Sequence, residues 1–225
     1  MKKFFCAIAS LCLLPSLIYA EPGSDKNLRF RVQVSDLATP ITAGDKTFTA
    51  LNRYLTEGLA KGKEASDYIE VTYPGMLYNP SRKLMPVGQK AAKYDTPLDA
   101  AQADFSAQKA ENDRWILNTF AANDQPEIQK YLNDKAMRET NFKMARVAGA
   151  REVSDEIRYQ GYAILFVKDT PSLPGMEKRG AMPFTYKETP QGWKRTNDLS
   201  SDIILDILIP MLRDRKGEIT EETPQ

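Results

Sequence analysis

Residues 151–199 read REVSDEIRYQGYAILFVKDTPSLPGMEKRGAMPFTYKETPQGWKRTNDL, and they carry the densest strand-like pattern in the chain. At their centre, residues 162–167 (YAILFV) form a short apolar run with aromatic and β-branched members, which is typical of a strand covered on both faces. Residues 153–159 alternate apolar and polar, with an interruption at Asp155, and predict a half-buried strand. This stretch therefore indicates the middle of an antiparallel sheet.

Two more strands are predicted after the apolar run. Residues 182–187 carry two aromatic side chains and lead into the sequence ETPQG, whose Pro and Gly favour a turn. Residues 193–196 (WKRT) then resume in extended form, so the whole stretch predicts three or four antiparallel strands. We expect Trp193 to pack against a helix layer that carries Phe105 or Trp115. The alternative is that Trp193 offers a partly exposed platform for a ligand.

The chain begins with a pattern that is typical of a secretory signal peptide. Lys2 and Lys3 precede an almost wholly apolar run at residues 4–17, and Ala20 is the small residue expected before a cleavage site. The alternative is a membrane anchor, but the run is shorter than the roughly 20 residues that a spanning helix needs. Neither cysteine in this segment follows the small residue of a lipoprotein signal. We therefore predict cleavage of residues 1–20, no lipid anchor, and export to the periplasm or out of the cell.

Cysteine content and charge limit the class of protein. Cys6 and Cys12 both lie in the predicted signal, so the mature chain has no thiol for a disulfide and needs a hydrophobic core for stability. The 31 Lys and Arg residues almost balance the 30 Asp and Glu residues. We therefore expect no nucleic-acid partner and no stable membrane insertion after cleavage.

Residues 21–75 predict a small N-terminal lobe of strand, helix and strand. Residues 28–34 alternate apolar and polar with period two, as a half-buried strand does. Residues 45–62 show helical spacing of their apolar positions. Residues 68–73 predict a second strand, which the following Pro-Gly pair should stop. Residues 76–94 contain two prolines and no periodicity, and they are predicted to be a linker.

A larger α+β domain is predicted at residues 95–215, with its helices before the sheet. Thr96 is a hydroxyl cap and Pro97 occupies the first helical position. Apolar residues then follow at helical spacing until a break near residues 111–113. Shorter helical segments continue to about Val147.

The C-terminal end combines an apolar helix with a polar tail. Residues 203–212 predict a helix with apolar positions at four-residue spacing. This helix packs in the core, forms the seam of a homodimer, or lies on a membrane surface. The membrane ranks last because the polar positions of the helix include acids. Residues 216–225 are predicted to be a polar tail.

The order of a capped helix, short helices and an antiparallel sheet resembles the cystatin-like cone of the nuclear transport factor 2-like superfamily. The resemblance covers residues 95–200 and rests on this layout and on two segments, TPLDAAQADFSAQKAEND at residues 96–113 and GWKRTND at residues 192–198. It implies helices packed on a curved antiparallel sheet. The superfamily contains enzymes, ligand carriers and interaction modules, so the resemblance leaves function open. The N-terminal lobe and the C-terminal helix lie outside it.

The residue types present exclude several kinds of chemistry. The sequence has no histidine and the mature chain has no cysteine, which excludes Ser-His-Asp and Cys-His mechanisms. Zinc, copper and non-haem iron normally require those ligands. No calcium loop, phosphate-binding loop or dinucleotide fingerprint occurs in the sequence. We therefore expect neither a metal nor a cofactor.

Carboxylate and phenol groups remain for catalysis, with an Asp as base and a Tyr hydroxyl as hydrogen-bond donor. The catalytic candidates are Asp155, Tyr162 and Asp198. Ordinary strand packing and loop chemistry is the favoured explanation of the same residues. The candidate ligand-binding residues are Tyr159, Tyr186, Trp193 and Arg195. Basic residues near the last strands form either a patch for an anionic ligand or, more commonly, a solvated face; they are Lys178, Arg179, Lys187, Lys194 and Arg195.

Together these features predict a soluble exported binding or accessory protein without catalysis of its own. It would hold a small ligand or an envelope protein on the sheet or on the lobe. One alternative is a cofactor-free lyase, isomerase or hydrolase with an Asp/Tyr pair in a cone-shaped pocket, for which an enclosed cavity with converging Asp and Tyr is required. Another is an envelope interaction protein, such as one that blocks a toxin, for which an exposed apolar patch is expected.

The signal-peptide interpretation predicts the mass of the exported protein. Intact-mass measurement should show that residues up to about Ala20 are lost and that no lipid is added, because signal peptidase cuts after a small residue. An Ala20→Arg variant should keep its signal, whereas the matched Ala20→Ser variant should be processed like the parent. A full-length or acylated parent protein would contradict this interpretation.

Overall fold

The structure, a computed structural model, describes residues 26–33, 36, 68–172, 174–175 and 180–222. In this part of the chain the strands are β1 (Asn27–Gln33), β2 (Tyr68–Leu84), β3 (Ala150–Tyr159), β4 (Tyr162–Thr170), β5 (Met182–Thr189), β6 (Gly192–Thr196) and β7 (Glu218–Glu222). They form one antiparallel sheet in the order β6-β5-β4-β3-β2-β1-β7.

Among the described residues, four helices precede β3 in the chain and one follows β6. They are α1 (Pro97–Lys109), α2 (Asp113–Thr119), α3 (Gln125–Asn133), α4 (Lys135–Val147) and α5 (Ile203–Leu208), with a 3-10 turn at Gln89–Ala91 and a π-helical turn at Ile209–Arg213. The predicted α+β class is confirmed, and so is the helix break, since Asn112 caps α2 through the backbone N–H of Trp115. Within these ranges no helix combines the length and the apolar character needed to cross a bilayer.

The strand β4 lies inside the sheet, between β5 and β3, and is buried on both faces, as its sequence predicts. Ile164 and Phe166 pack on one face with the apolar residues of α5, and we call this side the α5 face. Leu165 and Val167 pack on the other face with Ala100 of α1, and we call this side the α1 face. Because both faces are covered by helices, every residue of the apolar run contributes to a core.

The predicted half-buried character of β3 is wrong, because this strand is also covered on both faces. Its interruption is a β-bulge between Val153 and Asp155, which puts Val153 on the α1 face and Asp155 on the α5 face. Glu156 is buried although it is charged, because its carboxylate accepts a hydrogen bond from the Tyr78 hydroxyl at 2.7 Å. Because such polar residues can be buried, the alternation of polar and apolar residues does not show that both faces of this strand are covered.

The strands of the predicted N-terminal lobe do not form a sheet of their own. β1 pairs with β2, and β2 pairs with β3, so they extend the same sheet. The linker predicted at residues 76–94 is also wrong as far as Leu84, where β2 ends. The prediction treated Pro80 as a strand breaker. Pro80 lies where the pairing of β2 with β3 is interrupted, so its missing N–H removes no hydrogen bond between the two strands. The predicted helix at residues 45–62 lies outside the described residues.

Pro74 and Gly75 do not stop β2, contrary to the prediction. Pro74 forms the last pair with β1, and Gly75 forms the first pair with β3. A Cβ atom at Gly75 would lie 2.8 Å from the backbone oxygen of Glu156 and 2.9 Å from the Leu28 side chain. Glycine is therefore required here by the close approach of two neighbouring strands rather than by a turn.

The C-terminal region supplies a helix that covers one face of the sheet, and a strand at the sheet edge. Of the three roles considered for the apolar helix, core packing is confirmed, because Ile204, Ile207 and Leu208 are fully buried on the α5 face. The helix is shorter than predicted and continues as the π-helical turn that contains Pro210. The predicted polar tail is wrong at Glu218–Glu222, because this segment forms β7 and pairs with β1. Most of its residues are charged, so it lacks the apolar alternation from which a strand is predicted.

Trp193 enters β6 and is buried against α1, as predicted, with 7% of its surface exposed. It belongs to the core cluster that contains Ala100 and Ala101 of α1 and that includes neither Phe105 nor Trp115. The guanidinium carbon of Arg158 lies 4.9 Å from the centre of its ring. The indole therefore fixes the edge of the sheet to the first helix.

Truncation of this side chain should destabilise the protein. We expect Trp193→Ala to lower the free energy of unfolding by about 3–5 kcal/mol, because a large aromatic side chain leaves a cavity when it is removed from a core. Denaturant unfolding followed by circular dichroism measures the change. Met137→Ala on α4, whose side chain is exposed, is the control and should change the value by less than about 1 kcal/mol. Equal midpoints for Trp193→Ala and the parent would show that this packing does not stabilise the fold.

Candidate functional site

A cavity of about 210 Å³ lies between the α1 face of the sheet and the helices α1 and α4. We call it the first cavity. Helix residues in its lining are Gln108, Asn141 and Met144, and sheet residues in its lining are Arg151, Val167, Lys168, Asp169, Met182, Phe184 and Arg195. The cavity thus combines an apolar wall with a cluster of charged and amide side chains.

A fully buried carboxylate, Asp104, organises the polar wall. It lies on α1 one turn before Gln108, whose amide donates to Asp104 Oδ1 at 2.9 Å. Asp104 Oδ2 accepts from Nη1 of Arg151 at 2.9 Å and from Nη1 of Arg195 at 3.1 Å. One carboxylate therefore joins the first helix to strands β3 and β6 through three donor side chains, and the Thr119 hydroxyl lies 3.5 Å from its Oδ1.

Arg151 is held rigidly beside this carboxylate. Its Nε donates to Asp169 Oδ1 at 2.9 Å, and its side chain is only 2% exposed. Its guanidinium carbon lies 5.0 Å from the ring centre of Phe105 and 5.1 Å from that of Phe184. Hydrogen bonds to two carboxylates and aromatic rings near the guanidinium group fix the position of its charge.

Arg195 separates the first cavity from a second one of about 250 Å³. Both cavities are lined by Arg195, Gln108 and Asn141. The guanidinium carbon of Arg195 lies 3.8 Å from the ring centre of Phe184, which lines the first cavity, and 5.1 Å from that of Phe120, which lines the second. The remaining lining of the second cavity is Ile116, Ile128, Tyr131, Leu132 and Asn197.

The charges around Asp104 and Arg151 keep both of these side chains ionised. Burial alone would raise the pKa of Asp104, but the charges of Arg195 and Arg151 and the Gln108 amide outweigh it and hold this pKa below its ordinary value. Burial opposes the charge of Arg151, yet Asp169 and Asp104 raise its pKa. Asp104 is therefore an ionised partner of two arginines and a weak proton acceptor.

The four predicted ligand-binding residues do not meet at one site. Arg195 lines both cavities, and Tyr186 lies beside it, paired across β5 and β6. The Tyr186 hydroxyl is buried without a hydrogen-bond partner among the described residues, and burial raises its pKa. Trp193 is a core residue that lines neither cavity. Tyr159 belongs to the core of the α5 face, where its ring contacts Tyr73 edge to face at 5.6 Å.

The three catalytic candidates do not converge in a cavity. Asp155 is buried on the α5 face, where Ser154 and Arg215 donate to it and where burial raises its pKa. The Tyr162 hydroxyl donates to Asp198 at 3.1 Å, so this pair does form. It lies outside both cavities, and the hydrogen bond from Lys187 lowers the pKa of Asp198.

The basic residues near the last strands do not form one patch where they are described. Lys194 is buried and donates to the backbone oxygen of Asn118 at 2.7 Å. Lys187 and Lys194 are paired across β5 and β6, whereas Arg195 donates to Asp104 of α1. Lys178 and Arg179 lie outside the described residues.

The sequence interpretation missed Asp104, Gln108, Asn141 and Arg151. A signal for two of them exists in α1, because Ala100, Asp104 and Gln108 follow one another at four-residue spacing on its buried side. A charged residue on an otherwise apolar helix side needs a buried partner. Nothing in the sequence identifies Arg151 as that partner, since their side chains meet only through the fold.

No group of three or more His, Cys, Asp or Glu side chains in the described ranges is placed to hold a metal ion. The chain matches no protein-family model, no curated protein and no solved structure. The class of the molecule is therefore defined by its own geometry. It is an α+β protein with an arginine-lined cavity between an antiparallel sheet and its helices.

Removal of the Asp104 charge should destabilise the protein and change its pH dependence. We expect Asp104→Asn to lower the free energy of unfolding by about 3–5 kcal/mol at pH 7, because the buried Arg151 and the partly buried Arg195 lose their shared anion. Urea unfolding measures this value. The control is Asp113→Asn, which removes a partly exposed partner of Arg138 and should cost less than about 1 kcal/mol. An equal effect of the two substitutions would contradict the central role of Asp104.

The same comparison at lower pH gives an independent readout. The pKa of Asp104 in the folded state lies below its ordinary value of 3.8, so the carboxylate stabilises the protein fully above that pH. This contribution is lost as the pH falls through the folded-state pKa. The stability difference between the parent and Asp104→Asn should therefore be constant above about pH 5 and shrink below pH 3.8. A difference that grows on acidification would contradict the ion-pair assignment.

Proposed function

We propose that the protein is an exported binding protein whose first cavity holds a small molecule with an anionic oxygen group, such as a carboxylate. The supporting observation is an excess of hydrogen-bond donors at the cavity wall. The Asp104 oxygens already accept from three side chains. Among the described residues, Arg195 donates to Asp104 through Nη1, so most donors of its guanidinium group remain for a ligand.

The shape of the donor group favours a carboxylate. A guanidinium group is a rigid planar fork that matches two oxygens at once, and contact with aromatic rings limits its motion. Arg195 meets both conditions because Phe184 lies 3.8 Å from it. The carbon atoms next to the carboxylate would contact the apolar wall formed by Met144, Val167 and Met182. A charge-assisted hydrogen bond and an apolar contact are the usual components of a small-ligand site.

Binding is better supported than catalysis in this cavity. A general base needs an available lone pair and a pKa near the working pH. Asp104 has neither, since its oxygens are occupied and its pKa is lowered. The cofactor-free lyase, isomerase or hydrolase is therefore the second candidate, supported by the Tyr186 hydroxyl, which is buried without a partner among the described residues.

We also propose that the helices and β3–β6 form a cystatin-like cone of the nuclear transport factor 2-like superfamily. The order of the capped helix α1, the short helices and the antiparallel strands supports this relationship. Export to the cell envelope rests on the pattern of residues 1–20. An envelope protein partner, a homodimer and a toxin-blocking role are further proposals that no contact of the described residues singles out.

The binding proposal is tested with small carboxylates. Hexanoate and benzoate should bind the parent protein in isothermal titration calorimetry, whereas hexylammonium should not. Arg195→Met should weaken binding at least about tenfold, because a hydrogen bond to a charged group contributes about 1.5–3 kcal/mol. Arg195→Lys keeps the charge but loses the fork, and it should restore only part of the affinity.

A second variant leaves the polar network intact. Met182 lines the first cavity with a partly exposed side chain, so Met182→Trp should fill the cavity and abolish binding without unfolding the protein. The matched control is Met137→Trp, since Met137 is exposed on α4 and lines neither cavity. Circular dichroism verifies the fold of each variant. Failure of the parent to bind either carboxylate, or equal binding by Met182→Trp, would overturn the proposal.

A further inference from the structure

We infer that the ligand is an amphiphilic carboxylate, whose charged head lies in the first cavity and whose apolar chain enters the second cavity past Arg195. This inference rests on the proposed function, because it assigns the head group to the same arginines. It adds the chemical class of the remainder of the ligand. It also assigns a role to the second cavity, which a small anion would leave empty.

The first observation is the wall between the two cavities. Three residues line both cavities: Gln108, Asn141 and Arg195. All three are long or flexible polar side chains, and they come from three different elements, α1, α4 and β6. The two cavities therefore adjoin each other at these three side chains.

The second observation is the contrast between the two linings. The first cavity contains Arg151 and Asp169 in addition to Arg195. In the second cavity Arg195 is the charged residue of the lining, and the other contacts are mainly aliphatic and aromatic side chains: Ile116, Phe120, Ile128, Tyr131 and Leu132. The amides of Gln108, Asn141 and Asn197 complete this lining, so the two cavities differ in charge, and the aliphatic and aromatic side chains of the second give an alkyl chain a surface to contact. The arginine therefore marks the point at which the ligand changes from polar to apolar.

The third observation is size. The volumes are about 210 Å³ and about 250 Å³. Each alone is smaller than the typical ligand pocket of about 300–1,000 Å³, whereas the two together fall within this range. Arg195 lies between Phe184 and Phe120, one ring from each cavity. A ligand that follows this line keeps its carboxylate on the guanidinium group and its chain among apolar side chains.

The inference is tested with a series of straight-chain carboxylates: butyrate, hexanoate, octanoate and decanoate. Their affinities for the parent protein are measured by isothermal titration calorimetry at pH 7 and below the concentration at which they form micelles. Affinity should increase about fourfold for each methylene group that leaves water. The increase should stop when the chain exceeds the second cavity. Octylammonium, which has the same chain and the opposite charge, should not bind.

A substitution in the second cavity separates the head from the chain. Ile128 lines this cavity with a partly buried side chain, so Ile128→Trp should fill it from its rim. This variant should bind butyrate like the parent but should show no gain in affinity from hexanoate to decanoate. Met137→Trp, on the exposed side of α4, should behave like the parent in both respects.

The possible outcomes distinguish the two proposals. A parent protein that binds butyrate and decanoate with equal affinity would overturn the amphiphile assignment and leave the carboxylate site in place. A chain-length series that is identical in Ile128→Trp would also overturn it, because the chain would then lie elsewhere. A parent protein that binds none of the carboxylates would overturn the proposed function, and the further inference with it.

Discussion

The buried carboxylate of Asp104 is the interaction on which the helix layer and the cavity depend. It joins α1 to β3 through Arg151 and to β6 through Arg195. A buried charge is tolerated only when it is paired and its hydrogen bonds are satisfied, and three donors satisfy this one. Its position also sets the positions of both guanidinium groups. The same contacts that hold the helix on the sheet thus prepare the donors that we assign to a ligand.

The two faces of the sheet are used differently. On the α5 face, fully buried aliphatic and aromatic residues of α5, β1 and β4 form a continuous core. On the α1 face, the helix approaches closely where it presents Ala100 and Ala101 to Trp193. Farther along α1, Asp104 and Gln108 face the sheet instead, and the layers enclose cavities there. Side-chain size and polarity along one helix therefore determine where the sheet is packed and where it is open.

The chemistry of the site is limited by the small number of ionisable residue types that the sequence contains. Without histidine, and without cysteine after the predicted cleavage, the ionisable groups at the two cavities are guanidinium, ammonium, carboxylate and phenol. Two arginines lower the pKa of the buried carboxylate, and burial raises the pKa of Tyr186. Both effects keep each group in one protonation state near neutral pH. Such groups suit constant electrostatic recognition better than proton transfer, which is why the binding role is preferred.

The sequence alone determined the central strands, the turn between β5 and β6, the capped start of α1 and the break after it, because these depend on local periodicity, on capping residues and on Pro or Gly at turns. It also indicated Arg195 and Tyr186. It did not determine that β1, β2 and β7 extend the same sheet, since pairing between distant segments leaves no local signal, and Pro80 concealed the length of β2. Only the tertiary structure decided that Asp104, Arg151 and Arg195 meet. They are separated by 47 and 44 residues along the chain, and their contact arises from the packing of a helix on two strands.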